Sequence, residues 1–146
     1  RELGSSQEQL LRALTLANLV AVHQKRYIGN LSAYCGAVSA ATGAACGIAY
    51  LQGADYDVIG STIINSIGTT GGIICDGAKS SCAAKISAAV EAAVLGYEMA
   101  RRGRRFQFGE GLVSGDYEET IRSIGCVGRE GMKSTDVTIL NLMIAK

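Results

Sequence analysis

The chain has 146 residues, 48% of them hydrophobic, with 19 glycines, no proline and only 5% aromatic residues. That is enough apolar material for one compact domain with its own core, and too little length for two. Fourteen basic against 13 acidic residues leave a net charge of +1, which gives no electrostatic footing for nucleic acid or an anionic membrane and points to small molecules or other proteins as partners.

Abundant alanine and glycine without proline predict an all-α fold of about six closely packed helices, because small residues let backbones approach and nothing enforces kinks. Ser5-Ser6-Gln7-Glu8 reads as a capping box in which Ser5 accepts from the backbone and Glu8 reaches back. The first helix then runs from Ser6 to Lys25, burying Leu10, Leu14, Ala17 and Ala21 with Leu11 alongside, and turning Arg12 and Gln24 to water. Ala33 to Ala54 carries no charge, which raises a membrane span. It is mainly Ala, Gly, Ser and Thr, and its Gly43 and Gly47 pair suits a helix buried in a bundle, starting at Gly36.

A third helix begins near Asp55 and carries Val58, Ile59, Ile63, Ile64 and Ile67 up to Gly68-Thr69-Thr70-Gly71-Gly72. Gly72 to Cys75 is the one strand candidate, too short to found a sheet. The fourth and longest helix spans Ser80 or Ser81 to Arg102, with Ala84, Ala88, Val90, Ala92, Val94 and Leu95 as core and Gly103 as the stop. Arg104 to Gly109 is a surface connection. Asp116 to Ile124 forms a short helix with Glu118, Glu119 and Arg122 outward. The last helix, from about Thr135 to Ala145, is capped by Ser134 or Thr135 and buries Val137, Ile139, Leu140, Leu142, Met143 and Ile144.

Five cysteines at irregular spacing do not form a disulfide framework, and no secretory leader is present, so a reducing, cytoplasmic setting is expected. The start at Arg1 predicts a domain taken from a longer polypeptide whose remainder is N-terminal. The chemistry concentrates in Cys75-Asp76-Gly77-Ala78-Lys79-Ser80-Ser81-Cys82, a glycine-containing loop where the long helix starts. Unpaired amides at a helix N-terminus favour thiolate and can bond cluster sulfurs. A third ligand has to come from Cys35, Cys46 or Cys126, and spacing does not choose among them. Cys35 precedes a helix start, Cys46 reads as a small buried hydrophobe, and Cys126 fits either role.

The strings Tyr34-Cys35-Gly36, Cys75-Asp76-Gly77-Ala78-Lys79 and Gly131-Met132-Lys133-Ser134-Thr135-Asp136-Val137-Thr138-Ile139-Leu140 resemble the C-terminal half of the L-cysteine desulfidase family, which is related to the alpha part of iron–sulfur L-serine dehydratases. The resemblance covers nearly the whole chain. It implies a [4Fe-4S] cluster held by Cys35, Cys75 and Cys82 with one open iron site. It further implies an α,β-elimination on L-cysteine or L-serine: the open iron takes the thiol or hydroxyl leaving group, a base takes the α-proton, and the aminoacrylate hydrolyses to pyruvate and ammonia. The base is expected outside this chain, in a missing N-terminal domain or partner chain, so the isolated chain is expected to be inactive. A homodimer is compatible with this scheme.

Lys79, between the loop cysteines, is the candidate for the substrate carboxylate. Asp76 is expected to cap the following helix, and Arg26 to form an ordinary basic helix end. Where related sequences carry Gly-Asn-x-Thr-Gly, this chain has Gly68-Thr69-Thr70-Gly71-Gly72, so Thr69 and Thr70 are expected to satisfy their own backbone. His23 reads as a partly buried helix residue with no second catalytic group beside it. The alternative from a different class is a non-catalytic helical interaction module with a structural three-cysteine zinc site.

Overall fold

The computed structural model describes residues 3–145. Six α-helices follow one another: α1 (Gln7–Ile28), α2 (Gly36–Leu51), α3 (Tyr56–Thr70), α4 (Cys82–Ala100), α5 (Tyr117–Cys126) and α6 (Lys133–Ile144), with a π-helical turn, Val127–Gly131, between the last two. Local chemistry explains most boundaries. Asp55 accepts from the Val58 amide at 2.9 Å and Asp116 from the Glu119 amide at 2.8 Å, opening α3 and α5. Gly29 ends α1 at a φ of +99°, a conformation that costs a residue without a Cβ nothing. The capping box of α1 is one residue later than the sequence suggested: Ser6 accepts from the Gln9 amide, and Gln9 bonds back to the Ser6 amide.

No sheet forms among the described residues. The Gly72–Cys75 candidate is reduced to a single antiparallel bridge, Tyr34 with Ile74. No described helix is long and apolar enough to cross a membrane.

Helix α2 is the hub, packed between α1 and α4 and also touching α3. Its contact with α1 runs through Gly43 and Gly47. A Cβ at Gly47 would stand 2.9 Å from the Ala13 carbonyl oxygen, and one at Gly43 would overlap the Ala17 carbonyl oxygen. Gly96 of α4 likewise approaches α3, within 3.0 Å of the Ser66 amide nitrogen by the same measure. A larger core of Ile28, Val38, Ile63, Ile67, Ile121 and Ile124 joins α1, α2, α3 and α5, while Ala41 and Ala45 of α2 meet Ala89 and Ala93 of α4. Polar groups are also built in: the buried Thr42 and Ser66 hydroxyls share a 2.7 Å hydrogen bond.

Close backbone approach overturns the predicted buried faces of α1 and α4, and α6 differs because, among the described residues, it packs against no other α-helix. In α1 the inward residues are Ala13, Gln24 and Ile28, whereas Leu10, Leu11 and Leu14 are exposed. Gln24, expected in water, is buried and bonds weakly to the Val20 carbonyl at 3.4 Å. In α4 the inward residues are Ala89, Ala93, Gly96, Tyr97 and Ala100. Ala84, Ala88, Val90, Val94 and Leu95 are exposed and Ala92 is half-buried. Helix α6 buries nothing: Val137, Leu140, Leu142, Met143 and Ile144 are all exposed and Ile139 is half-buried. Its N-cap is Met132, without a side-chain cap, in place of Ser134 or Thr135.

Candidate functional site

Cys35 and Cys75 are brought together by the backbone. On either side of the Tyr34–Ile74 bridge, the Cys35 amide donates to the Ile73 carbonyl at 3.1 Å and the Cys75 amide to the Ala33 carbonyl at 2.6 Å. Cys35 is the N-cap of α2, and Cys82 is the first residue of α4. Gly77, at a φ of +92°, turns the intervening loop back so that the Cys82 thiol lies 3.4 Å from the Gly77 carbonyl.

The result is a cavity of about 540 Å³ lined by Cys35 at the start of α2 and by Cys75 and Cys82 from the two ends of one loop. Apart from Lys85 its walls are otherwise apolar: Ala37, Ala40, Ala41 and Ala44 from α2 face Ile86 and Val90 from α4. The starts of α2 and α4 both border it, and the positive end of each helix dipole favours anionic sulfur there. Met143 of α6 closes on the loop, 3.1 Å from where a Gly77 Cβ would stand.

The other two cysteines lie elsewhere. Cys46 is completely buried in α2, and burial pushes its thiol up to about 12. Cys126 is exposed at the end of α5. Among the described residues no three His, Cys, Asp or Glu side chains converge tightly enough to hold a single metal ion. A polynuclear cluster binds each thiolate through a different iron, and thiols spread around one cavity suit it.

The charged residues of the loop differ from expectation. Asp76 caps nothing; its carboxylate joins two lysines, with Lys85 on Oδ1 and Lys79 on Oδ2 at 3.0 Å. The hydrogen bond from Lys85, then that from Lys79, pulls the Asp76 carboxyl down to about 2. Lys79 is not among the residues lining the cavity. Lys85 is, and its Nζ also donates to the Ile74 carbonyl at 2.8 Å. Lys85 was not singled out in the sequence, although a helix starting at Ser80, Ser81 or Cys82 alike sets it three positions after Cys82, on the same face; that spacing was the available signal.

The remaining candidates sit away from the cavity. Thr69 and Thr70 donate to the Asn65 and Ser66 carbonyls of their own helix at 2.8 and 2.7 Å. Arg26 lies in the last turn of α1, and its carbonyl accepts from Arg129. His23 has a partner that its sequence neighbours could not reveal: Glu118, 95 positions away and half-buried where it was expected outward, contacts His23 Nε2 at 2.8 Å. The Tyr27 hydroxyl joins the same carboxylate at 3.2 Å. This pair borders a separate apolar cavity of about 380 Å³ between α1, α3 and α5.

Comparison with known proteins adds the relationships. The family model described as "Serine dehydratase alpha chain" matches residues 1–141. The chain is 50% identical over 143 residues to UPF0597 protein DSY1109 of Desulfitobacterium hafniense, covering 98% of this chain and 33% of the relative. It is 51% identical over 145 residues to a UPF0597 protein of Finegoldia magna, covering 99% and 35%. A Treponema denticola UPF0597 protein is 48% identical over 144 residues, covering 99% and 33%. The chain thus spans about a third of the length of these curated relatives. No solved structure matches it.

Proposed function

The chain belongs to the serine dehydratase alpha chain family, and from that premise we propose that it is the cluster-binding part of a lyase that carries out α,β-elimination on L-cysteine or L-serine. Cys35, Cys75 and Cys82 hold a [4Fe-4S] cluster, leaving one iron without a protein ligand. The observation that carries this reading is that these three of the five cysteines, one from the start of α2 and two from the loop before α4, line one cavity. Bound there, such a cluster supplies a Lewis acid for the thiol or hydroxyl leaving group.

The chain's own residues do the rest of the work at this end of the site. The helix starts at Gly36 and Cys82 turn their positive dipole ends toward anionic sulfur. The alanine wall of α2 keeps side chains out of the space and leaves room for a small substrate. The base for the α-proton comes from outside this chain. That assignment is supported by the lining itself, which contains no histidine and no carboxylate among the described residues, and by relatives about three times as long. The chain on its own is therefore inactive, and the reaction belongs to the longer polypeptide, with pyruvate and ammonia as products and sulfide released when cysteine is the substrate.

Anaerobic reconstitution with iron and sulfide is expected to give a broad absorbance near about 400 nm with about four irons and four sulfides per chain. A colourless protein that retains neither iron nor sulfide overturns the proposal, and one zinc per chain without sulfide favours the structural-module alternative.

A further inference from the structure

We propose that Lys85, oriented by Asp76, receives the carboxylate of the small acid bound in the cysteine cavity, a role the loop sequence points to Lys79 for; this rests on the function proposed above. Among the described residues, Lys85 is the single charged side chain in the lining of that cavity. No carboxylate shares the lining, so Lys85 is the group there with a charge to offer an incoming carboxylate.

Lys85 is also held ready. Its ammonium has three donors. The Ile74 carbonyl takes one at 2.8 Å and Asp76 Oδ1 takes another, with no third protein acceptor among the described residues. The side chain is 25% exposed, against 47% for Lys79. A lysine already tethered at two points loses less rotamer freedom when a ligand binds than a free one does. Asp76 does not cancel this charge, because its second oxygen is matched by Lys79 at 3.0 Å. Two ammonium groups and one carboxylate leave a net positive charge on the trio, with Lys85 as the member that faces the cavity. Lys79 is then a positioning residue: it occupies Asp76 from the solvent side.

The ligand class follows from the walls. Ala37, Ala41 and Ala44 oppose Ile86 and Val90, apolar walls that suit a short carbon chain whose single anionic end meets Lys85. The chain supplies no anionic group in the lining for an α-ammonium, so this cavity reads the carboxylate end of an amino acid.

The test uses the full-length polypeptide, first without cluster. Propionate is titrated while the backbone amide resonances of Cys82 and Lys85 are followed by NMR, with propionamide as the uncharged isostere. Propionate is expected to shift both resonances and propionamide to leave them in place. Lys85→Met is expected to weaken propionate binding by about tenfold or more, and Lys79→Met by about twofold or less. Lys85→Arg is expected to restore most of the binding. In the reconstituted protein, Lys85→Met raises KM for the amino acid while the absorbance near about 400 nm keeps its parent intensity.

Propionamide matching propionate, or Lys79→Met losing binding that Lys85→Met keeps, overturns the assignment. Should Lys85→Met fail to fold by circular dichroism, the propionate and propionamide comparison together with Lys85→Arg decides the matter. The two readings fail separately: a parent protein that takes up neither iron nor sulfide overturns the lyase proposal, whereas a normal cluster with unaltered propionate binding in Lys85→Met overturns the role of Lys85 alone.

Discussion

Replacing Asn65 by alanine strips three hydrogen bonds from the centre of the fold. Asn65 is fully buried on α3, and its Nδ2 donates to the Gly96 carbonyl at 3.0 Å and to the Arg104 carbonyl at 3.0 Å. Its Oδ1 accepts from the Phe106 amide at 3.0 Å. One amide therefore fastens α4 and the segment after it to α3. Each bond contributes about 1 kcal/mol net, and the small void left by truncation adds about 1 more, giving a loss of about 4 kcal/mol. Against a total of about 5–15 kcal/mol, that is a large share. Asn65→Asp sharpens the test, because it keeps the acceptor for Phe106 but turns an oxygen toward two carbonyls; it should be at least as destabilised at neutral pH and recover partly in mild acid. Urea unfolding followed by circular dichroism measures both. An alanine variant within about 1 kcal/mol of the parent at unchanged m refutes the claim that this amide holds the two helices together.

Three further outcomes follow from the same geometry. Gly43→Ala should lose about 2–3 kcal/mol despite alanine's better helix propensity, because its Cβ overlaps the Ala17 carbonyl oxygen; a variant as stable as the parent in urea contradicts the close α1–α2 crossing. The Asp76 carboxyl, already depressed, should titrate by NMR with a midpoint of about 2 and not its ordinary 3.8. Its stabilising pairing is complete above 3.8 and lost as pH falls through about 2, Lys85→Met should move the midpoint upward more than Lys79→Met, and an unshifted midpoint in the parent contradicts the pairing. At pH 8, iodoacetamide should modify exposed Cys126 rapidly and leave Cys46 intact until the chain unfolds, since Cys46 is fully buried and its thiol is held up at about 12; equal rates by mass spectrometry argue against this packing.

The helix order was legible because the chain states it in local chemistry: Asp55 and Asp116 cap, and Gly29 and Gly71 close. Which side of each helix is buried was not legible. The expectation that larger apolar residues face inward fails where backbones approach closely, since α1 and α2 meet through Ala13, Ala17, Gly43 and Gly47, and α4 enters through Ala89, Ala93 and Gly96. Leu10, Leu14, Val90 and Val94 are left outside by that choice.

For the site, the loop from Cys75 to Cys82 announced itself by its glycine and its place before a helix. Cys35 could be singled out only by resemblance, because the bridge that sets it beside Cys75 pairs residues 40 positions apart. Lys85 was readable from its place three positions after Cys82 on the same helix, but the carboxylate that orients it lies nine positions back across the loop. The Glu118 partner of His23 was hidden by a separation that no local pattern encodes.

The most direct test of the central claim is iron and sulfide content measured across single cysteine-to-alanine variants after anaerobic reconstitution. The account predicts that Cys35→Ala, Cys75→Ala and Cys82→Ala each lose most of the cluster, while Cys46→Ala and Cys126→Ala keep the parent content. A full cluster in Cys75→Ala, or loss confined to Cys46→Ala or Cys126→Ala, contradicts it.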